Sequence, residues 1–260
     1  MLSLSVRRAA RRGVLAARPP PRRAYHSNHS GGGGVGDVAR RVSWELAQHR
    51  ADAPVYALIA ANVAVYAAYA LAVAPGGPRW RRWFNAHMVL SNSRFQSDPL
   101  VLLSSTFTHL SPVHLALNMF SLYSFGRATL GALGPARFLG LYAAAGAAGS
   151  AAHLAASAYL PRSRWPAAAT TRRDDAAVGA SGAIAGLACY TAARAWRGGV
   201  VYVFVLPVPN ALFVPAFVLG STYAALYHGG SASGQWAHAA HVGGALAGVA
   251  YAAARALARR

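Results

Sequence analysis

Long apolar stretches alternate with short polar ones along most of this chain, and their lengths set the first expectation. About 20 apolar residues carry a helix across a bilayer, and Pro54 to Ala74 is such a stretch without a charge. Val113 to Leu133 follows, with Arg127 and several polar groups, and Phe138 to Leu160 is nearly all alanine, glycine and leucine. Val178 to Trp196 is short and rich in small residues. Val200 to Tyr227 is too long for one span and is interrupted by "LPVPN". Because proline removes a backbone donor, this stretch divides into a broken lead-in and a fifth helix from about Ala211. Trp236 to Ala254 is the sixth. The pattern predicts an all-α membrane protein, a bundle of six transmembrane helices within residues 54–256.

The connections add detail. Pro75 to Ser111 reads as a long loop carrying "RWRRWF", whose tryptophans and arginines suit a membrane–water interface. Leu160 to Ala177 is a polar loop leading into Val178. Counting arginines on the two sides gives nearly a tie, so charge alone does not orient the bundle.

Composition narrows the partners. Charged residues make up 12% of the chain, about half the share usual in soluble domains. The formal net charge is +19. A nucleic-acid binder would set its arginines on an otherwise polar surface; here they lie at the N-terminus and between apolar runs, so the expected partner is the lipid bilayer and not nucleic acid. The one cysteine, Cys189, rules out an intramolecular disulfide and a cysteine metal cluster. At the N-terminus, "MLSLSVRRAARRGVLAARPPPRRAYHS" has seven arginines and no acid. That composition describes a mitochondrial presequence, and a cut after Tyr25 fits it. Residues 1–25 are therefore read as the presequence and residues 26–53, with "SNHSGGGGVGD", as a flexible linker.

Polar side chains inside spans call for explanation. His114 and Asn118 share a face near the start of the second span, Ser181 opens the fourth, and His241 lies in the first turns of the sixth. If the spans alternate, these three helices start on one side of the membrane, and the four groups can converge. His109 and His238 sit at the same helix entrances. Ser181 on its own reads most often as a packing or capping serine in a small-residue helix. Together with a histidine it can be a nucleophile with its base. No acid lies in any predicted span, so the sequence permits a Ser–His dyad and no triad. Gly182-x-x-x-Gly186 and Gly244-x-x-x-Gly248 would let the fourth and sixth backbones approach closely. The backbone N–H of Ser181 with the side chains of His114 and Asn118 can serve as oxyanion donors. A rival reading takes His238, His241, His109 and His114 as a metal or haem site in a membrane carrier. The glutamate of a HExxH zinc protease is absent from that pattern.

"HLSPVHLALNMFSLYSFG", "GASGAIAG" and "AHVGGALAG", in that order and each at a helix entrance, resemble the rhomboid intramembrane serine proteases over nearly the whole chain after residue 54. The resemblance implies Ser181 as nucleophile, His241 as base, and His114 and Asn118 as oxyanion donors, with no metal and no cofactor. It also implies a water-filled pocket below the membrane surface. Substrates would be single-pass transmembrane proteins that enter sideways near the second and fifth helices, in the mitochondrial inner membrane. Where many bacterial members carry a tyrosine one turn after the serine, stacked on the histidine, this chain has Ala185. Mitochondrial members often add a helix before the six, and residues 26–53 are too polar to supply one. A rhomboid-like protein that binds membrane helices without cleaving them is the alternative within the family. Oligomeric state and natural substrate are not written in the sequence.

Overall fold

Helices follow the apolar stretches closely. The computed structural model describes residue 43 and residues 51–73, 77–159, 176–203, 205–227 and 237–259. The expected presequence, nearly all of the expected linker and most of the 160–177 loop lie outside the described residues. In chain order the elements are α1 (Ala53–Val73), α2 (Gly77–Met88), α3 (Asn92–Ser97), α4 (Val101–Ser104) with a 3₁₀ turn (Ser105–Phe107), α5 (Pro112–Leu133) and α6 (Pro135–Tyr159). Then come α7 (Ser181–Arg194), β1 (Val200–Val203), β2 (Leu206–Pro209), α8 (Asn210–Tyr227) and α9 (His238–Leu257).

Among the described residues, α1, α6 and α8 are both long and apolar enough to cross a membrane. The other three long helices fall short for visible reasons. Helix α7 has only 14 residues. Helix α5 carries His114, Asn118 and Arg127, and α9 carries His238, His241 and Arg255 among alanines and glycines.

Helix α7 is the centre of the bundle, with every residue from Gly182 to Tyr190 buried. Small side chains permit this, because they let neighbouring backbones come close on several sides at once. On one side, Ala183, Ile184 and Leu187 pack with Leu122 and Leu130 of α5 and Leu141 and Ala145 of α6. On the other, Ala185, Ala188 and Cys189 meet Phe213 and Val214 of α8 and Ala245 of α9. Thr129 on α5 fixes depth, since its hydroxyl lies 2.8 Å from that of Thr191 and 3.2 Å from the Leu187 carbonyl. Helix α1 packs on the outside of α5, where Val55 fills the space left by Gly126.

Two connections differ from their sequence reading. The 75–111 segment is not one loop, since it folds into α2, α3, α4 and the 3₁₀ turn. Helix α2 is amphipathic and too polar to read as a span, and α3 and α4 are too short to show a repeat. The lead-in to the fifth helix is an antiparallel hairpin in which Val200 pairs with Pro209 and Val203 with Leu206. Asn210 then starts α8 and caps the end of α7, donating from its side chain to the Ala195 carbonyl at 3.0 Å.

Helix α2 is tied to the α3–α4 turn through His87, whose Nδ1 lies 2.7 Å from an Asp98 carboxylate oxygen. The His87 hydrogen bond and the Leu100 N–H hold the Asp98 carboxyl below the usual carboxylate range. A carboxylate with a lowered folded-state pKa stabilises fully above its unfolded pKa of about 4 and loses that contribution as pH falls through the folded value. Asp98→Asn should therefore lower thermal stability near neutral pH and flatten the acid side of the stability profile. Superimposable acid limbs for the variant and the unaltered protein would contradict the tie.

Candidate active site

The turn before α7 is built first. Ala177 exchanges two backbone hydrogen bonds with Leu90, at 3.0 and 2.9 Å, and the Gly179 N–H donates to the Ser105 carbonyl at 2.9 Å. Gly179 has φ +119°, a conformation that a side chain would strain. A Cβ there would also stand 2.7 Å from Cε1 of His114. The imidazole of His114 thus lies against the backbone two residues ahead of Ser181. Ser181 is the first residue of α7 and is half-buried. At this position the first backbone N–H groups have no intrahelical acceptor and are available to an oxyanion.

Helix α9 meets α7 glycine on glycine. A Cβ at Gly244 would fall on the Gly182 carbonyl, and one at Gly248 on the Gly186 carbonyl. Both pairs are separated by the same number of positions, so the two helices run parallel and in step. At the entrance, a Cβ on Gly182 would lie 3.2 Å from the Ala240 carbonyl oxygen. This sets the Ser181–Gly182 end of α7 level with Ala240 and His241. His241 is buried in the first turn of α9. Among the described residues, Ser181 and His241 share no hydrogen bond; such contacts are often loose before substrate is bound.

The remaining sequence-selected groups cluster at the same end. Asn118 is buried one turn beyond His114 and donates one amide N–H to the His114 carbonyl at 2.9 Å. Its second N–H is not used by that bond. His109 is fully buried and stands edge-on to His114, with ring centroids 5.1 Å apart. Burial, with a smaller push from His114, lowers the pKa of His109 to about 4, so the ring is neutral. His238 is half-buried and makes a T-shaped contact with His241, at 5.9 Å and 89°. Among the described residues, no group of three or more His, Cys, Asp or Glu side chains is placed to hold a metal.

Two features escaped the sequence. The Phe217 ring of α8 lies 6.1 Å from the His241 ring at 33° and is itself stacked on Phe213. An aromatic thus comes from α8 where Ala185 of α7 offers none. The spacing of Phe213 and Phe217 shows a shared helix face, but not which helix that face meets. The second feature is Gly179, whose role depends on the distant His114.

The result is a scaffold of parallel, glycine-matched helices with a serine and a histidine at adjacent helix starts. The Rhomboid domain family matches residues 96–257, and the chain belongs to this family. Its relatives include Rhomboid protein 1, mitochondrial, of Saccharomyces cerevisiae, 32% identical over 200 residues that cover 76% of this chain and 51% of that protein. RHOMBOID-like protein 12, mitochondrial, of Arabidopsis thaliana is 30% identical over 184 residues, covering 67% of this chain and 54% of its own length. The human Presenilin-associated rhomboid-like protein, mitochondrial, is 30% identical over 198 residues, covering 75% and 46% respectively. These relatives are mitochondrial rhomboids, and this chain is of the same type. It spans about half the length of the curated relatives it matches.

Proposed function

We propose that this chain is an intramembrane serine endopeptidase in which Ser181 and His241 form the catalytic dyad. The observation that carries the reading is the in-step docking of α7 on α9, because it brings the two helix starts level with the backbones nearly touching. Helices α1 and α5–α9 are the six spans of the bundle. In this mechanism His241 takes the Ser181 proton as Oγ attacks the scissile carbonyl of a transmembrane helix. The oxyanion is met by the Ser181 N–H, by His114 and by the spare Asn118 N–H. A donor of this kind is typically worth about 10²- to 10³-fold in rate. His241 then gives the proton to the leaving amine, and water hydrolyses the acyl-enzyme by the same steps in reverse order.

Phe217, packed beside His241, restricts the tilt of the imidazole. Substrates are single-pass membrane proteins with helix-weakening residues near the cut, because a stable helix conceals its peptide bonds. The mitochondrial inner membrane as the site of action is supported by the acid-free, arginine-rich N-terminus and by the mitochondrial names of the relatives.

A serine-directed fluorophosphonate probe tests the reading. The purified protein in detergent should label at Ser181, and Ser181→Ala should abolish the label. No labelling of the folded protein would favour the rhomboid-like protein that binds membrane helices without cleaving them.

A further inference from the structure

Helix α2 carries chemistry that the catalytic reading does not use. Arg79, Arg81 and Arg82 are exposed, as are Trp80 and Trp83, while Phe84 is buried. Phe84 packs against Tyr69 in the last part of α1, with ring centroids 5.1 Å apart. One turn further on, His87 is held as well. The Ser104 hydroxyl donates to the His87 carbonyl at 2.5 Å, and Asp98 pairs with His87. The second half of the helix is therefore fixed, and the cationic, indole-bearing surface faces outward. Helix α2 contains no acid, and the nearby Asp98 is already engaged by His87.

We propose that α2 is a docking surface for the headgroups of anionic phospholipids in the protein's own bilayer. The inference rests on the reading of α1 as a membrane span. Only three residues separate the end of α1 from the start of α2, and each extends the chain by at most about 3.6 Å. With Phe84 against Tyr69, α2 therefore lies at the level where α1 leaves the hydrocarbon. Indoles favour that depth. Three guanidiniums in five positions (Arg79 to Trp83) complement phosphate charge, and planar guanidinium donors pair with phosphate oxygens in a two-pronged way. A neutral zwitterionic headgroup would meet the same tryptophans but would lack the charge complement. The surface thus selects lipid charge and does not merely anchor. Each arginine near an anionic surface contributes roughly a fivefold preference.

The test uses the full chain reconstituted in phosphatidylcholine vesicles containing a minor fraction of either brominated phosphatidylglycerol or brominated phosphatidylcholine. Bromine quenches nearby tryptophan, and the difference from Trp80→Phe/Trp83→Phe isolates the α2 signal. Quenching by the anionic lipid should exceed that by the neutral one at least about fivefold. The Arg79→Gln/Arg81→Gln/Arg82→Gln variant should lose that excess, and the triple lysine variant should keep part of it. The three arginines are exposed, so these changes leave the Phe84 contact in place. Equal quenching by both lipids in protein that resists alkaline extraction overturns the headgroup proposal alone, as does an excess unchanged in the glutamine variant. Protein released by alkaline extraction overturns the spanning reading and this inference with it. Headgroup preference is read without any cleavage, so the dyad can fail while α2 still selects its lipids.

Discussion

Ser181→Ala, His241→Ala and the double variant should all show the same residual cleavage of a transmembrane substrate in reconstituted vesicles. The loss expected is at least about 10³-fold for each, with no further loss on combining them, since a nucleophile and its base act as one unit. Helix α7 is buried along its length through its own, mostly small residues, and Ser181 stands at its start, so removing one hydroxyl leaves the fold unchanged. Unaltered thermal unfolding in detergent verifies that point. Substantial cleavage by purified Ser181→Ala, free of contaminating protease, would end the serine-protease reading. Losses that multiply in the double variant would show that the two residues act separately.

The second large effect comes from one methyl group. In Gly244→Ala the new Cβ falls on the Gly182 carbonyl. Neither atom belongs to a flexible side chain, so the helices themselves must part. Overpacking of this kind costs about 1–3 kcal/mol, and a backbone clash belongs at the upper end. Cleavage should fall by at least about tenfold although both reacting residues are intact, because Ser181 and His241 separate with their helices. Gly140→Ala on α6 is the control, since a Cβ there meets nothing within 4 Å; its stability and activity should stay near those of the unaltered protein. Gly244→Ala with full activity would show that the glycine contact does not position the dyad.

The parts of the fold read correctly from sequence are those written in apolar length. Pro54–Ala74 became α1 almost residue for residue, and Val113–Leu133 became α5. The polar groups of the site stood out because His114, Asn118, Ser181 and His241 interrupt apolar surroundings, and the structure gathers them at one end of the bundle. What failed to show depended on pairing between distant segments. The "LPVP" prolines read as a break, yet they lie in a hairpin whose partner strand begins at Val200. Helices α3 and α4 are too short to show a repeat, whereas the amphipathic pattern of α2 was there to be read in a stretch too polar for a span. The contact of Phe217 with His241 required knowing where α8 leans.

The glycine seam between α7 and α9 also decides which parts of the molecule can move. Two backbones that meet carbonyl to Cα have no side chains between them to act as a compliant layer, so the pair bends and slides as a single stiff beam. Helix α8 is joined to that beam through the larger side chains Phe213, Val214 and Phe217, and it carries Pro215 within its length. Rings can change rotamer, and a helix lacking one backbone hydrogen bond flexes at lower cost. Mechanical compliance is therefore expected in α8, while the α7 and α9 backbones keep their register.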